Sequence, residues 1–155
     1  MNKELKHIHD ILFKVLGSEI SNISNEEGTG RYCGYNFQLG SRNIKYRKAN
    51  ITPKKIGQFV ALWKRNSAGK TEPYSLDDDF DFYIIEARQG QNHGLFIFPK
   101  RVLAEKQILS VREKEGKRGF RVYPPWDVPK SKQAVNTKSW QVGYFHDLTA
   151  DQIIS

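Results

Sequence analysis

The stretch from Thr52 to Arg65, TPKKIGQFVALWKR, leaves a folding chain few options. Thr52-Pro53 favours an extended or turn entry, and from Gly57 onward the β-branched and aromatic residues predict a strand. Successive strand side chains point to opposite faces, so Gln58, Val60, Leu62 and Lys64 share one side and Phe59, Ala61, Trp63 and Arg65 the other. Trp63 and Arg65 are therefore expected on one face. The competing assignment is that Phe59, Val60, Leu62 and Trp63 are plain core, with Lys54, Lys55, Lys64 and Arg65 as solvated ends.

This strand sits inside a long acid-free region. No Asp or Glu occurs from Gly28 to Thr71, whereas Arg31, Arg42, Lys45, Arg47, Lys48, Lys54, Lys55, Lys64, Arg65 and Lys70 are all basic. An ordinary solvated surface mixes signs, so a one-sign segment with aromatics between its charges reads as a surface kept for an anion. The net charge of +8 and pI near 9.6 point the same way, although cationic solubility alone also accounts for them.

The chain has 155 residues, the size of one domain with a self-sufficient core, and a single domain over residues 1–155 is expected. Cys33 stands alone and makes neither an internal disulfide nor a cysteine zinc site, which fits a reduced, cytoplasmic protein. No apolar run approaches the ~20 residues needed to span a bilayer, and Met1 to Asp10 is unlike a signal peptide, so no membrane partner is expected.

Leu5, Ile8, Ile11, Leu12, Val15 and Leu16 recur at helical spacing and stop at Gly17, predicting an amphipathic helix. His7 and His9 fall off that stripe and point in different directions, so they are expected in solvent rather than as a metal pair. Ser21 to Gly34 reads as turn-rich. Gly28-x-Gly30 is no phosphate loop, because Tyr35, Phe37 and Leu39 alternate as a strand where a helix would be needed. Asn43 to Lys48 predicts a second strand with Ile44 and Tyr46 inward and Asn43, Lys45 and Arg47 outward. Phe80 to Glu86 predicts another, Gly90 to Gly94 a hairpin turn, and Leu95 to Phe98 its partner. Pro99 then opens a short helix through Lys106. His93, beside Gly94, reads as turn chemistry. Phe120 to Tyr123 predicts a strand ended by Pro124-Pro125, Ser131 to Tyr144 a helix, and Leu148 to Ile154 a last helical turn.

Asp77, Asp78, Asp79 and Asp81 concentrate the acid. Clustered carboxylates can hold Mg²⁺ for phosphodiester cleavage, and Asp81 with Glu86-Ala87-Arg88 faintly resembles a nuclease Asp, Glu-x-Lys pattern. The third position is Arg, however, and Asp81 and Glu86 face apart on one strand. Capping and local pairing are the preferred roles. Gly116 to Trp126, GKRGFRVYPPWD up to its last residue but one, combines guanidinium forks, flat rings and flexible glycine, which phosphates and stacked bases require. Trp126 serves equally well as a rigid plug for the core.

Three stretches, TPKKIGQFVALWKR, GLFIFPKRVL and GKRGFRVYPPWD, followed by Gln133-Ala134, Trp140-Gln141 and Tyr144-Phe145, resemble the MepB family. These are small bacterial proteins often encoded beside multidrug efflux components. The resemblance spans Leu5 to Phe145 and covers Thr52, Lys54, Lys55, Phe59, Trp63, Arg65, Lys100, Arg118, Arg121, Tyr123, Trp126 and Trp140. It implies a fold related to effector domains of restriction endonucleases and an association with DNA or nucleotides, and it supplies no catalytic set.

The expected fold is α+β: a single domain with a curved, mostly antiparallel sheet or pseudobarrel flanked by N- and C-terminal helices. The expected function is nucleic-acid binding without catalysis, cofactor or metal. Its partners would be single- or double-stranded DNA, with RNA and nucleotides as further candidates. Arg47, Lys54, Lys55, Lys64, Arg65, Lys117, Arg118 and Arg121 are the expected phosphate contacts, and Trp63, Tyr123 and Trp126 the stacking rings. The alternatives are a protein-interaction module and a metal-dependent nuclease using Asp79, Asp81 and Glu86.

Overall fold

The structure, a computed structural model, describes residues 3–25 and 34–149. Glu26 to Gly30, expected as loop, and the end of the expected helical turn from Leu148 to Ile154 lie outside the described residues.

Helix α1 (Lys3–Leu16) is followed by strands β1 (Ile20–Asn25), β2 (Tyr35–Leu39), β3 (Arg42–Lys48), β4 (Asn50–Ile51), β5 (Gln58–Ala61), β6 (Trp63–Arg65), β7 (Thr71–Pro73), β8 (Phe82–Gln89) and β9 (Asn92–Pro99). Helix α2 (Lys100–Glu105), β10 (Gly119–Val122), α3 (Lys132–Gln141) and β11 (Phe145–Asp147) complete the order. The main sheet has six strands in the order β1-β2-β3-β8-β9-β11. Its pairs are antiparallel except β3 with β8. It does not close into a barrel, so the mixed α+β expectation holds in its open form. A smaller sheet, β10-β5-β4, and the hairpin β6-β7 complete the strand pairing.

The two faces of the main sheet carry two separate cores. On one, Ile8 and Leu12 of α1 pack on Phe37, Ile44, Tyr46, Ile84 and Leu95. On the other, Tyr83, Ile85, Phe96 and Phe98 meet Val60, Leu62, Phe120 and Val122 of the small sheet and Leu103 of α2. The alternation in β8 and β9 thus divides between two apolar neighbours, which is why these strands are nearly continuous apolar runs.

Three expectations are corrected, and one strand appears where none was expected. Lys45 and Arg47 are buried, at 8% and 1% exposure, because β3 is an interior strand whose second face is also covered. Lys45 Nζ is bonded to Asn36 and Tyr74 and lies 4.2 Å from the centre of the Tyr74 ring. The strand expected from Gly57 to Arg65 breaks at Leu62, whose N–H donates to Arg118 O, and β6 then pairs with β7 instead. Ile20–Asn25 is a strand rather than turn, held by antiparallel pairing to β2. Phe145–Asp147 becomes the edge strand β11. It approaches β9 so closely that a Cβ on Gly94 would lie 2.1 Å from Phe145 Cζ.

Helix α3 is capped by Ser131, whose hydroxyl accepts from Ala134 N. Its last residue, Gln141, is fully buried and pairs with the strand edge at the end of β10. Its Oε1 accepts from Tyr123 N and its Nε2 donates to Arg121 O, so one side chain replaces a missing strand neighbour.

Candidate functional site

Antiparallel pairing of β5 with β10 brings the two cationic stretches together, with Phe59 opposite Arg121 and Ala61 opposite Gly119. The expected parity holds: Gln58, Val60 and Leu62 are buried, while Phe59, Ala61 and Trp63 are half-exposed on the other side. Arg65 lies over the Trp63 ring, 5.4 Å from its centre, and donates to Gly69 O. Register pairs Arg65 with Thr71, and Arg118 donates to that same residue's hydroxyl and carbonyl, so the two arginines adjoin one position.

The cations differ in how far they are committed. Lys64 is bonded to Asp78 at 2.6 Å and lies 3.7 Å from Glu72. Arg118 also pairs with Glu115 at 3.1 Å. Arg121 holds the turn before β5, donating to Thr52 Oγ1, Ile56 O and Gly57 O. Lys54, Lys55 and Lys117 are exposed and form no ion pair among the described residues. Tyr123 is buried with its ring against Gly57, where a Cβ would stand 2.7 Å from Tyr123 Cε1. Trp126 is half-buried, donates to Gln89 Oε1 and meets Phe145 edge-on at 5.6 Å. Arg47, Tyr123 and Trp126 therefore serve the interior or its corners.

Beside β10, α3 and the end of α2 enclose an open cleft of about 320 Å³. Lys106, Lys117 and Arg121 line it with Trp140, Gln133 and Thr137, and no acid does. Lys106 Nζ sits 5.5 Å from the centre of the Trp140 ring. The clefts around Asp79, Glu72 and Glu105 each contain a carboxylate. Lys106 was missed as a site residue because, at the end of a short helix that also carries Lys100, Arg101 and Glu105, it reads as one more surface charge. Trp140 fell within the recognised motif, but nothing local marks it as facing a cavity.

The acids do not assemble as a nuclease site would need. Asp81 accepts from Asn43 N and Asp79 from Asn43 Nδ2, so both fasten β3 to the segment before β8. Burial raises the Asp78 carboxyl, but hydrogen bonds from Lys64 and Ser75 N outweigh that and hold it below the usual range. Glu86 lies elsewhere, on the α1 face, at 4% exposure. Its Oε1 accepts from Tyr46 OH at 2.5 Å, and its Oε2 is 3.0 Å from His7 Nε2 and 2.5 Å from His93 Nε2. Burial acts to raise its pKa, yet the bonds from His7, His93 and Tyr46 more than offset this and drive it far below the carboxylate norm.

The expectation of His93 as a turn residue and His7 as a solvent residue is thus revised. His93 is inside β9 and buried, and His7 stacks on it at 5.9 Å between ring centres. A local signal existed for each: His7 precedes Ile11 by one helical turn, and His93 has the strand parity of Leu95 and Ile97.

A family model described as MepB-like matches residues 26–147. The crystal structure of MepB superposes with a TM-score of 0.81 at 31% identity, covering 95% of this chain and 97% of that one. A bacterial homing endonuclease aligns over 93% of this chain and 94% of its own, at 13% identity and a TM-score of 0.44. No curated protein matches. No helix among the described residues is long and apolar enough to cross a membrane.

Proposed function

This chain belongs to the MepB-like family, and we propose that it binds nucleic acid, without cutting it, through the cleft between β10 and α3 and the adjoining outer face of β5 and β6. The observation that carries this reading is the cleft itself: three cations and an indole around one concavity, with no carboxylate to neutralise them. Lys106 and Lys117 are its exposed cations, the groups suited to meet phosphate oxygens. Arg121, tied to Thr52 and the following turn, adds positive potential from a fixed position. Trp140 is half-buried against Phe98 and offers its remaining face to a base. Trp63 and Arg65 extend the same chemistry along β6, and Lys54 and Lys55 extend the charge along the preceding turn.

Contacts of this kind are largely indifferent to sequence and release counterions. With three lining cations engaged, log affinity should fall against log salt with a slope of about −2 to −3, at ~0.7 to 0.9 per phosphate. The test titrates single-stranded DNA, duplex DNA and RNA oligomers at two salt concentrations, with wild type, Lys117→Gln and Lys106→Gln. Each substitution should weaken binding and reduce the slope by about one phosphate's worth. Affinity that ignores salt, or that is unchanged in both variants, refutes the proposal.

A further inference from the structure

We propose that His7, Glu86 and His93 form a binding site for a divalent transition metal of the zinc class. These are the described residues whose His, Cys, Asp or Glu ligand atoms gather as a group of three, all within 4.8 Å of one another. They come from α1, β8 and β9, so the fold and not local sequence assembles them. The site lies on the α1 face of the main sheet, away from the cleft of the proposed function, and does not depend on that reading.

The donor set decides the metal class. Two imidazoles and one carboxylate match zinc sites that keep an open position, whereas calcium and magnesium prefer oxygen throughout. Zinc bonds of ~2.0 to 2.1 Å place tetrahedral ligand atoms about 3.4 Å apart. Here the carboxylate oxygen stands 3.0 and 2.5 Å from the two imidazole nitrogens, distances at which protons bridge them. A metal would take the place of those protons, with each nitrogen moving less than 1 Å from the carboxylate oxygen and the two nitrogens, within 4.8 Å of each other, adjusting to the same spacing. His7 can accommodate this because its side chain is 43% exposed, and that exposed edge leaves a coordination position for water. Tyr46, donating to the other carboxylate oxygen, fixes the plane of Glu86 as outer-shell partners of metal ligands do.

One group opposes the metal. Arg88 Nη2 stands 4.0 Å from Glu86 Oε2 and 3.4 Å from His93 Nδ1. The same nitrogen is 3.5 Å from His93 Nε2, so the guanidinium lies against both ring nitrogens and sets a positive charge beside the atoms a metal would use. Binding therefore requires Arg88, 40% exposed, to swing away from the ring.

The experiment titrates the EDTA-stripped full chain with Zn²⁺ by calorimetry, with Co²⁺ as a spectroscopic probe and Mg²⁺ for comparison. One Zn²⁺ should bind per chain with proton release, and Co²⁺ should give the visible band of a low-coordinate site. His7→Ala, at a half-exposed position, should keep its circular dichroism and weaken binding on the order of tenfold or more. His9→Ala should leave affinity unchanged, and Arg88→Gln should raise it. Absence of Zn²⁺ binding, or binding of equal strength in His7→Ala, overturns the proposal.

Discussion

Replacing Tyr46 by Phe removes one oxygen from the interior and nothing else. The ring is 1% exposed and packs with Phe37 at 6.3 Å, contacts that phenylalanine preserves, so no cavity term enters. What is lost is the bond from Tyr46 OH to Glu86 Oε1, 2.5 Å long and made to a carboxylate at 4% exposure. A hydrogen bond to a charged group contributes ~1.5–3 kcal/mol. About 2 kcal/mol, at a urea dependence of ~2 kcal/mol per molar, moves the midpoint by roughly 1 M. The melting temperature should fall by ~4–8 °C at this chain length. Tyr83→Phe is the internal control, because Tyr83 OH donates to the neutral carbonyl of Ala61 at 2.9 Å on the opposite face of the same sheet. Its loss should be about half as large. Urea unfolding of both variants at neutral pH in EDTA makes the comparison. If Tyr46→Phe costs less than about 0.5 kcal/mol, or no more than Tyr83→Phe, then Glu86 is not held as an ionised buried carboxylate.

Gln141→Leu should destabilise by roughly 2–5 kcal/mol in urea unfolding, because it strands two buried backbone groups, Tyr123 N–H and Arg121 C=O. Asp127→Asn should do the opposite at neutral pH. Burial raises the Asp127 carboxyl above its usual 3.8, with Lys138 only partly offsetting, and its Oδ2 is buried with no hydrogen-bond partner. For an acid whose folded pKa is raised, the penalty on the ionised form is full above that pKa and disappears as pH falls towards 3.8. The stabilisation by Asp127→Asn, followed by thermal melts across pH, should therefore shrink on acidification.

The two sides of β5 were legible because strand side chains alternate, but not which side is interior: Phe59, Ala61 and Trp63 are as apolar as Gln58, Val60 and Leu62, the buried set. The same reasoning misplaced Lys45 and Arg47, and for Lys45 the covering rings can be named. Their strand alternates just as clearly, but whether a polar side faces water depends on what other segments cover it, and Tyr74 and Phe80 arrive from a distant loop. The start of α3 at Ser131 was readable because helix starts are set by neighbouring residues. The cluster around Glu86 was not, since His7 reaches it across 79 residues and no periodicity records such a meeting. Trp126 remained ambiguous for a related reason: Pro124-Pro125 fixes a corner, while the surface that corner meets, Phe145 and Gln89, lies on other strands.

The two faces of the main sheet both bury charge, but in different ways. The face towards the small sheet and α3 packs Tyr83, Ile85, Phe96 and Phe98 into an apolar core and buries the cations Lys45 and Arg47 on β3. The α1 face interrupts an equally good apolar surface with Glu86 and His93. A buried ionic network is often no more stabilising than apolar side chains of the same volume, so its presence here is weakly explained by folding. The loss measured in Tyr46→Phe does not contradict this, because removing one donor leaves the carboxylate buried and short of a partner, whereas an apolar replacement of the whole group would leave nothing unpaired. A ligand for the two imidazoles and the carboxylate supplies the reason that packing does not. Its binding would be felt first by α1, the element that carries His7 and lays Ile8 and Leu12 on the sheet.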